Sequence, residues 1–155
     1  EKMKKMQVKK TSAENIEELM EIRLEMLREV NGLAPDAVFA PDLVAHSREY
    51  FLHGDQTTVF AMDGERIAGC ASISYITVMP TFDHPTGRRA HLMNIYTRAG
   101  YRRQGVGRLM VQFLIDEAKA RGATEISLDA TQKGVPLYQS LGFAFNGEAM
   151  NISLG

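Results

Sequence analysis

The sequence predicts a mixed α and β (α+β) fold in which a mostly antiparallel sheet is flanked by helices. Three patterns support it: helical apolar spacing in some segments, alternating apolar and polar residues in others, and one strand–helix–strand run. A chain of 155 residues, 45% of them hydrophobic, suits one domain with a substantial core. We therefore expect a single domain over residues 1–155.

The first third of the chain is predicted to hold a short strand and two helices. A strand over Met6 to Lys10 precedes Thr11 and Glu14, which have the spacing of a capping box. The apolar residues that then recur at helical intervals are Ile16, Leu19, Met20, Leu24, Leu27 and Val30. Pro41 suits the first turn of a second helix, which should end before Gly54.

The centre of the chain has the pattern of a sheet. The segments TTVFAM and RIAGCASISYITV flank Asp63-Gly64, which predicts two antiparallel strands joined by a tight turn. The prolines and glycine between Met79 and Ala90 predict a loop, and HLMNIYT predicts a third strand.

The last third of the chain predicts a crossover between parallel strands. An amphipathic helix should run from about Val106 to Arg121, with the apolar positions Val106, Leu109, Met110, Phe113, Leu114 and Ala118. EISLDA then predicts a strand, so His91 to Ala130 reads as a βαβ unit with parallel strands. GVPLYQSLGF predicts a short helix, and the remainder to Leu154 can supply one more strand or a hairpin.

Charge and cysteine content narrow the classes of function. Eighteen Lys and Arg against 19 Asp and Glu give no reason to expect a broad nucleic-acid or anionic-membrane surface. Cys70 is the only cysteine, so an intrachain disulfide and a cysteine-rich zinc site are excluded, and we expect no metal. The basic start EKMKKMQVKK lacks the apolar core of a leader, and no run approaches the ~20 apolar residues of a spanning helix. These features predict a cytoplasmic protein.

A glycine-rich turn at YRRQGVGRLM carries the strongest chemical signal. A strand ends there, glycines allow close approach to a ligand, and a helix begins whose N-terminus suits phosphate. A plain tight connection would use the same glycines. Met110 fills the place of the third glycine of the dinucleotide fingerprint, and Arg108 and Leu109 replace the Lys-Ser/Thr of a P-loop. Neither nucleotide signature fits.

Two motifs in order resemble those of the GNAT-type N-acetyltransferase superfamily, and the resemblance extends over nearly the whole chain. Arg102, Gly105 and Gly107 match the pattern Arg/Gln-x-x-Gly-x-Gly/Ala, and LYQSLGF matches Leu-Tyr-x-x-x-Gly-Phe. The resemblance implies a GNAT-like acyltransferase fold with its parallel βαβ pair at the cofactor site and with acetyl-CoA as the donor.

The resemblance also implies roles for residues. Backbone N–H groups from Arg103 to Arg108 would hold the pyrophosphate, and the main chain of Ile95 and Thr97 would bond the pantetheine arm like an extra strand. An N–H of that stretch would face the thioester carbonyl. Tyr138 would be the general acid that protonates the leaving thiolate. The implied cofactor-binding residues are Ile95, Tyr96, Thr97, Arg102, Arg103, Gln104, Gly105, Val106, Gly107, Arg108, Thr131 and Lys133.

The turn before Tyr138 departs from the family pattern. Family members often carry Asn, and then Ala or Ser, at the positions that match Thr131 and Gly134. Thr131 keeps a hydroxyl that can bond the cofactor or a water. Lys133 is either a partner for the cofactor phosphates or an ordinary surface lysine.

The acceptor side has weaker signals. An amine attacks only in its neutral form, so a group must take a proton, and Asp129, His91 or water are the candidates. Asp129 could instead cap a turn, and His91 could sit at a strand edge. Cys70 lies in an alternating strand and is expected to be buried and inert, which favours direct attack in a ternary complex. The first two helices and the loop from Met79 to Ala90 are expected to shape the acceptor site.

The leading hypothesis is acetyl transfer from acetyl-CoA to a primary amine of a small molecule, peptide or protein. The alternatives are a CoA-binding sensor without turnover, against which Tyr138 argues, and an interaction domain without the ligand, against which RRQGVG argues. The exposed edges of such a sheet are compatible with a homodimer.

Overall fold

A computed structural model describes residues 6–155, and the first half of the basic start segment lies outside the described residues. The strands are β1 (Gln7–Lys10), β2 (Gln56–Asp63), β3 (Arg66–Thr77), β4 (Arg88–Thr97) and β5 (Glu125–Ser127). The α-helices are α1 (Ile16–Val30), α2 (Pro41–His53), α3 (Val106–Ala120) and α4 (Val135–Ser140), and a 3₁₀ turn (Ala13–Asn15) precedes α1. Within residues 6–155, no helix combines the length and apolar character needed to cross a bilayer.

The described strands form one sheet in the order β1-β2-β3-β4-β5. The first three neighbouring pairs are antiparallel, and β4 pairs with β5 in parallel. The turn between β2 and β3 contains Gly64 at φ 63°, a left-handed conformation that favours glycine. The predicted hairpin, the βαβ unit and the mostly antiparallel mixed sheet are therefore confirmed.

Each face of the sheet carries its own core. The α3 face is lined by small and branched residues, and its buried members are Val59, Ala61, Ala68, Ala71, Ile73, Ala90, Leu92, Val106, Met110, Val111, Leu114 and Ala118. The other face is covered by α1 and α2, with the buried residues Leu19, Met20, Ile22, Phe51, Phe60, Cys70 and Tyr96. Because successive side chains of a strand point to opposite faces, the sheet contributes to both cores. The strand ends lie between the two cores and are available for a site.

The start of the first helix differs from the prediction. The capping residue is Ser12, whose hydroxyl accepts from the N–H of Glu14, while the Asn15 side chain accepts from the N–H of Ser12. Thr11 instead donates both its N–H and its hydroxyl to the Thr58 carbonyl. Thr11 is therefore held beside β2, and the cap shifts by one residue.

The buried faces of α1 and α3 differ from the predicted ones. In α1, Ile22 is 1% exposed whereas Val30 is 66% exposed. In α3, Val111 is 0% exposed whereas Leu109 is 43% exposed. The surface that each helix contacts decides which of its residues are buried, so the buried stripe differs from the one that the spacing alone selects.

The prediction of a further strand or hairpin before Leu154 is wrong. Residues 144–155 contain no strand, and four of their apolar side chains are exposed: Phe145, Met150, Ile152 and Leu154. A strand exists only where its backbone pairs, and β5 offers just Glu125–Ser127 as an edge.

Truncation of the α3 core should separate buried from exposed leucines on one helix. Leu114→Ala should lower the free energy of unfolding by about 2–5 kcal/mol because it leaves a cavity at a side chain with 0% exposure. Leu109→Ala, on the 43% exposed side, is the matched control and should cost about 1 kcal/mol or less. Urea unfolding monitored by circular dichroism measures both. Equal losses would contradict the packing described for α3.

Candidate functional site

A β-bulge interrupts β4 in the middle of the sheet. Ser72 pairs with Met93 and Cys70 pairs with Tyr96, so β4 has one more residue than β3 between these two pairs. Asn94 occupies the bulge at φ 59°, in the left-handed region that asparagine tolerates better than most residues.

Side chains from three elements hold the bulge. The Asn94 Oδ1 accepts from Arg23 Nη1 at 3.1 Å, and the Asn94 Nδ2 donates to Ser72 Oγ at 3.3 Å. The Cys70 thiol donates to the Asn94 carbonyl at 3.6 Å. Ser72 is linked in turn to Thr58 by hydroxyl groups 2.7 Å apart. The strained residue is therefore fixed by side-chain bonds that replace the interrupted ladder.

The two parallel strands diverge beside the bulge. β5 pairs with β4 only as far as His91, whereas β3 continues to pair with β4 as far as Thr97. Along the β4 edge from Leu92 to Thr97, no strand of the described residues takes the place of β5. Backbone groups on that edge do not pair with β5 and can hydrogen-bond a ligand as they would a neighbouring strand.

The N-terminus of α3 closes one end of this open edge. Gly105 is its N-cap residue at φ 80°, and no side chain caps the helix or places an acidic group in its first turn. A Cβ built at Gly105 would meet nothing within 4 Å, and one at Gly107 would lie 3.6 Å from Leu137 and 3.9 Å from Thr97. The first N–H groups of α3, the end of β4 and α4 thus converge.

Arg102 is bound to α1 and to β4. Its Nε donates to the Thr97 carbonyl at 2.7 Å, and its Nη2 lies 2.7 Å from Glu29 Oε2. The Tyr96 hydroxyl lies 2.9 Å from Glu29 Oε1 and 2.8 Å from Glu25 Oε2, and its single proton is shared between these two acceptors. The bond from Tyr96, with the Arg102 contact, holds the pKa of Glu29 below its usual value. Only the backbone of Tyr96 therefore remains for the divergent edge.

The other polar residues of the glycine turn are exposed. Arg103 lies at φ 64° and has no ion pair or side-chain hydrogen bond within residues 6–155. Gln104 donates to the Gly100 carbonyl at 3.1 Å, and Arg108 donates to the Ser140 hydroxyl of α4. Of the three arginines in the turn, Arg103 is the one that has no partner among the described residues.

Tyr138 lies on α4 with its hydroxyl unbonded within the described residues. Its ring is half-buried and packs edge-on against Phe143, with the centroids 6.0 Å apart. Burial raises the pKa of Tyr138, so the phenol keeps its proton at neutral pH. A Cβ at Gly134 would lie 2.8 Å from the Tyr138 ring, which gives a steric reason for glycine at this position.

Thr131 and Lys133 precede α4 on the surface. The Thr131 hydroxyl accepts from the Gly134 N–H at 3.3 Å, which closes the turn that leads into α4. Lys133 is exposed, and no ion pair involves it among the described residues.

The structure brings the two candidate bases together. His91 Nδ1 lies 2.7 Å from Ser127 Oγ, and His91 Nε2 lies 3.9 Å from Asp129 Oδ2. His91 and Ser127 form the last parallel pair before the strands diverge. The histidine and the carboxylate therefore flank the start of the open edge.

A cavity of about 210 Å³ lies beside the bulge. Its lining comes from α1, α2 and the sheet: Arg23, His46, Ser47, Tyr50, Phe51, Ser72, Met93 and Asn94. The loop from Met79 to Ala90 contributes no residue to this lining. Its His84 Nδ1 instead lies 2.9 Å from the hydroxyl of Thr124, just before β5. The role of the two helices and the loop at the acceptor site stays a prediction.

Cys70 has the buried position that the alternating strand predicts. It is 1% exposed, and burial raises the pKa of its thiol to about 12. Within residues 6–155, no cluster of three or more His, Cys, Asp or Glu side chains is arranged to hold a metal ion.

Comparison with known proteins agrees with this geometry. The profile of the acetyltransferase (GNAT) family matches residues 16–143, which include α1, the sheet from β2 to β5, and α4. The chain belongs to this family. A crystal structure of a predicted acetyltransferase with acetyl-CoA from Clostridium acetobutylicum superposes on this GNAT chain with a TM-score of 0.82 at 27% identity, covering 96% of each chain.

Two characterised relatives match part of this GNAT chain. The glucosamine 6-phosphate N-acetyltransferase of Trypanosoma brucei brucei is 27% identical over 57% of this chain and 58% of its own length. The streptothricin acetyltransferase of Streptomyces lavendulae is 31% identical over 78% of this chain and 64% of its own length. The chain thus spans less than two thirds of the length of these relatives.

Sequence reasoning missed Arg23 and Asn94. Each of the two interrupts a sequence pattern. Arg23 lies on the apolar stripe of α1, four positions after Leu19 and three after Met20. Asn94 lies within a predicted strand, although asparagine is depleted from strands. A charge on an apolar stripe and an amide inside a strand both indicate a polar site within a core.

Thiol labelling should report the burial of Cys70 without interference, because the chain has no other cysteine. In the folded protein we expect labelling by a disulfide reagent at pH 8 to be limited by unfolding, since burial and a thiol pKa of about 12 suppress the thiolate. The same reaction in denaturing urea should be complete within minutes. Rapid, stoichiometric labelling of the folded protein would contradict the described position of Cys70.

Proposed function

We propose that this GNAT-family chain is an N-acetyltransferase that moves the acetyl group of acetyl-CoA to a primary amine of a small molecule or peptide. The observation that carries the proposal is the unpaired β4 edge, which leads from the bulge at Asn94 to an N-terminus of α3 without a capping side chain. A ligand with an amide-containing arm and a pyrophosphate matches both parts in order.

Donor binding would use backbone groups more than side chains. The pantetheine arm would bond the edge groups of Ile95 and Thr97 in the place of β5, and the pyrophosphate would accept N–H groups between Arg103 and Arg108. The Thr97 carbonyl already accepts from Arg102, but a carbonyl has two lone pairs and can accept a second donor. Arg103 has no other partner among the described residues and would add counter-charge, as would Lys133.

The bulge would assist the chemical step. The amine nitrogen attacks the thioester carbon, and negative charge develops on the carbonyl oxygen. A backbone N–H between Ile95 and Thr97 would donate to that oxygen, because β5 no longer pairs with β4 along this stretch. The network around Asn94 would keep the donor in place during the reaction.

Tyr138 would protonate the leaving thiolate. As the carbon–sulfur bond breaks, its electron pair remains on sulfur and takes the phenolic proton. The raised pKa of Tyr138 ensures that the proton is present at neutral pH, and the hydroxyl has no competing acceptor among the described residues. The proton of the attacking amine would leave through His91, Asp129 or water.

Direct attack in a ternary complex is the proposed kinetic order. Cys70 is unsuited to carry the acetyl group because its thiol is buried and holds its proton. Initial-velocity plots should therefore intersect. Parallel plots would indicate a covalent enzyme intermediate and contradict the proposed order.

The proposal extends to the setting of the enzyme. We propose one domain over residues 1–155 that works in the cytoplasm, consistent with one buried cysteine that forms no disulfide. The open outer edge of β5 would suit a homodimer.

A charge placed at the start of α3 should block donor binding. Gly107→Asp should weaken acetyl-CoA binding by about 100-fold or more, because it puts an anion beside the pyrophosphate at a helix N-terminus. Gly107→Asn has nearly the same shape without the charge and is the matched control. The added Cβ meets only ordinary contacts in either variant. Calorimetric titration of acetyl-CoA measures the affinities, and equal affinities would show that the turn is only a connection.

Removal of the Tyr138 hydroxyl should affect turnover and not binding. Tyr138→Phe should lower kcat by about 100-fold or more while the Kd of acetyl-CoA changes little, since the ring contact with Phe143 is retained. In the wild type, the raised pKa should keep Tyr138 protonated to a higher pH than an ordinary tyrosine. Rate profiles from pH 6 to 10 test this, and an unchanged profile in the variant would reject Tyr138 as the acid.

The overall proposal is tested by thiol release from acetyl-CoA with a panel of primary amines, alongside a thermal shift with acetyl-CoA alone. Stabilisation by acetyl-CoA together with amine-dependent release is the expected result. Stabilisation without release would favour a CoA-binding sensor. The absence of both would favour an interaction domain that has lost the ligand.

A further inference from the structure

Arg23 lines the cavity as a cation that has no ion-pair partner among the described residues. Its Nη1 donates to Asn94 Oδ1 and approaches Met26 Sδ at 3.8 Å. Its Nε and Nη2 have no acceptor among the described residues, and neither is sealed from solvent. The Arg23 side chain lines the cavity, so these two donors are available to a ligand that binds there.

Among the described residues, no carboxylate of α1 or α2 is paired with Arg23. The carboxylates of α1 and α2 that form ion pairs do so as Glu17 with Arg48, Glu25 with Arg98, Glu29 with Arg102, and Glu49 with His53. Burial lowers the pKa of Arg23, and no carboxylate is among the groups that act on it. A half-buried guanidinium without a carboxylate is costly to the fold, so the charge calls for an explanation beyond stability.

Support of the bulge does not explain a guanidinium by itself. The bond to Asn94 uses one of its five N–H donors, and a neutral side chain could supply one donor without the charge. A planar fork with free donors matches the two oxygens of a carboxylate.

The rest of the cavity limits the size and character of the ligand. Tyr50, Phe51 and Met93 supply aromatic and aliphatic surface, and the volume of about 210 Å³ is below the ~300–1,000 Å³ of pockets for drug-sized ligands. Met93 and Asn94 belong at once to the cavity and to the bulge. A ligand anchored at Arg23 would therefore extend along apolar walls towards the strand where the donor is proposed to bind.

We propose that the acetyl acceptor is a small amine that carries a carboxylate, and that Arg23 binds this carboxylate through its free donors. This inference rests on the proposed acetyltransferase function. The acceptor would have three parts: the carboxylate at Arg23, a short apolar body between Tyr50 and Met93, and a primary amine directed to the bulge.

The first experiment compares amines with and without the carboxylate. Thiol release from acetyl-CoA is measured with L-leucine, L-methionine, L-phenylalanine and 4-aminobutyrate, and with the matched leucinamide, methioninamide, phenylalaninamide and butylamine. At least one carboxylate should exceed its partner in kcat/KM by about tenfold or more. If only the reactivity of the amine mattered, the amides would have the higher kcat/KM, because a larger fraction of their amine is neutral. A preference for them, or for 2-aminoethylphosphonate, would overturn the proposal.

The second experiment assigns the preference to Arg23. Arg23→Met should lower kcat/KM for the preferred carboxylate by about 10- to 100-fold and leave the uncharged partner within about threefold. Arg23→Lys should fall between, because it keeps the charge without the fork. Arg48→Met, a surface arginine on α2 paired with Glu17, is the matched control and should match the wild type. Equal losses for both acceptors in Arg23→Met would mean that Arg23 only positions Asn94.

A third measurement separates this inference from the proposed function. If no amine releases CoA, the acetyltransferase proposal fails, but the same carboxylates can still be tested by thermal shift in the wild type and in Arg23→Met. Stabilisation of the wild type alone would keep the carboxylate site. Stabilisation of neither protein, or of both equally, would overturn it. A retained thermal shift with acetyl-CoA shows that the Arg23→Met chain is folded.

Discussion

The bulge at Asn94 determines the geometry around it. An extra residue in β4 would slip the pairing with β3 if nothing held it, and Asn94 prevents this by bonding Arg23 from α1 and Ser72 and Cys70 from β3. The bulge places Met93 and Asn94 on the cavity side, and it lies where β5 has already left β4. The cavity and the open edge of β4 thus share Met93 and Asn94.

The C-terminal half of helix α1 contacts β4 and the turn after it. Glu25 binds Arg98, and Glu29 binds Arg102 and Tyr96. Arg23, two residues before Glu25, binds the bulge. The same helix therefore supports the proposed donor edge with paired charges and lines the cavity with a charge that has no ion-pair partner among the described residues.

Two titratable groups near the proposed reaction centre, Cys70 and Tyr138, keep their protons at neutral pH. Cys70 is deep in the core and keeps its proton, so it stabilises the bulge as a neutral donor. Tyr138 keeps its proton on α4, and His91 lies with Asp129 where the parallel strands begin to diverge. A phenol and an imidazole would suit the proposed reaction, in which one proton is delivered and another is removed.

The sequence alone determined the elements and the donor signature. The hairpin at Asp63-Gly64, the crossover through α3 and the motifs RRQGVGR and LYQSLGF depend on local spacing and turn chemistry, and they predicted the sheet order around the site. Local spacing could not predict the cap at Ser12, the burial of Val111 in place of Leu109, or the unpaired segment after Phe143, because each depends on which surfaces meet. Only the tertiary structure brought Arg23 to Asn94 and His91 to Asp129, since side chains distant in sequence acquire a shared function through packing.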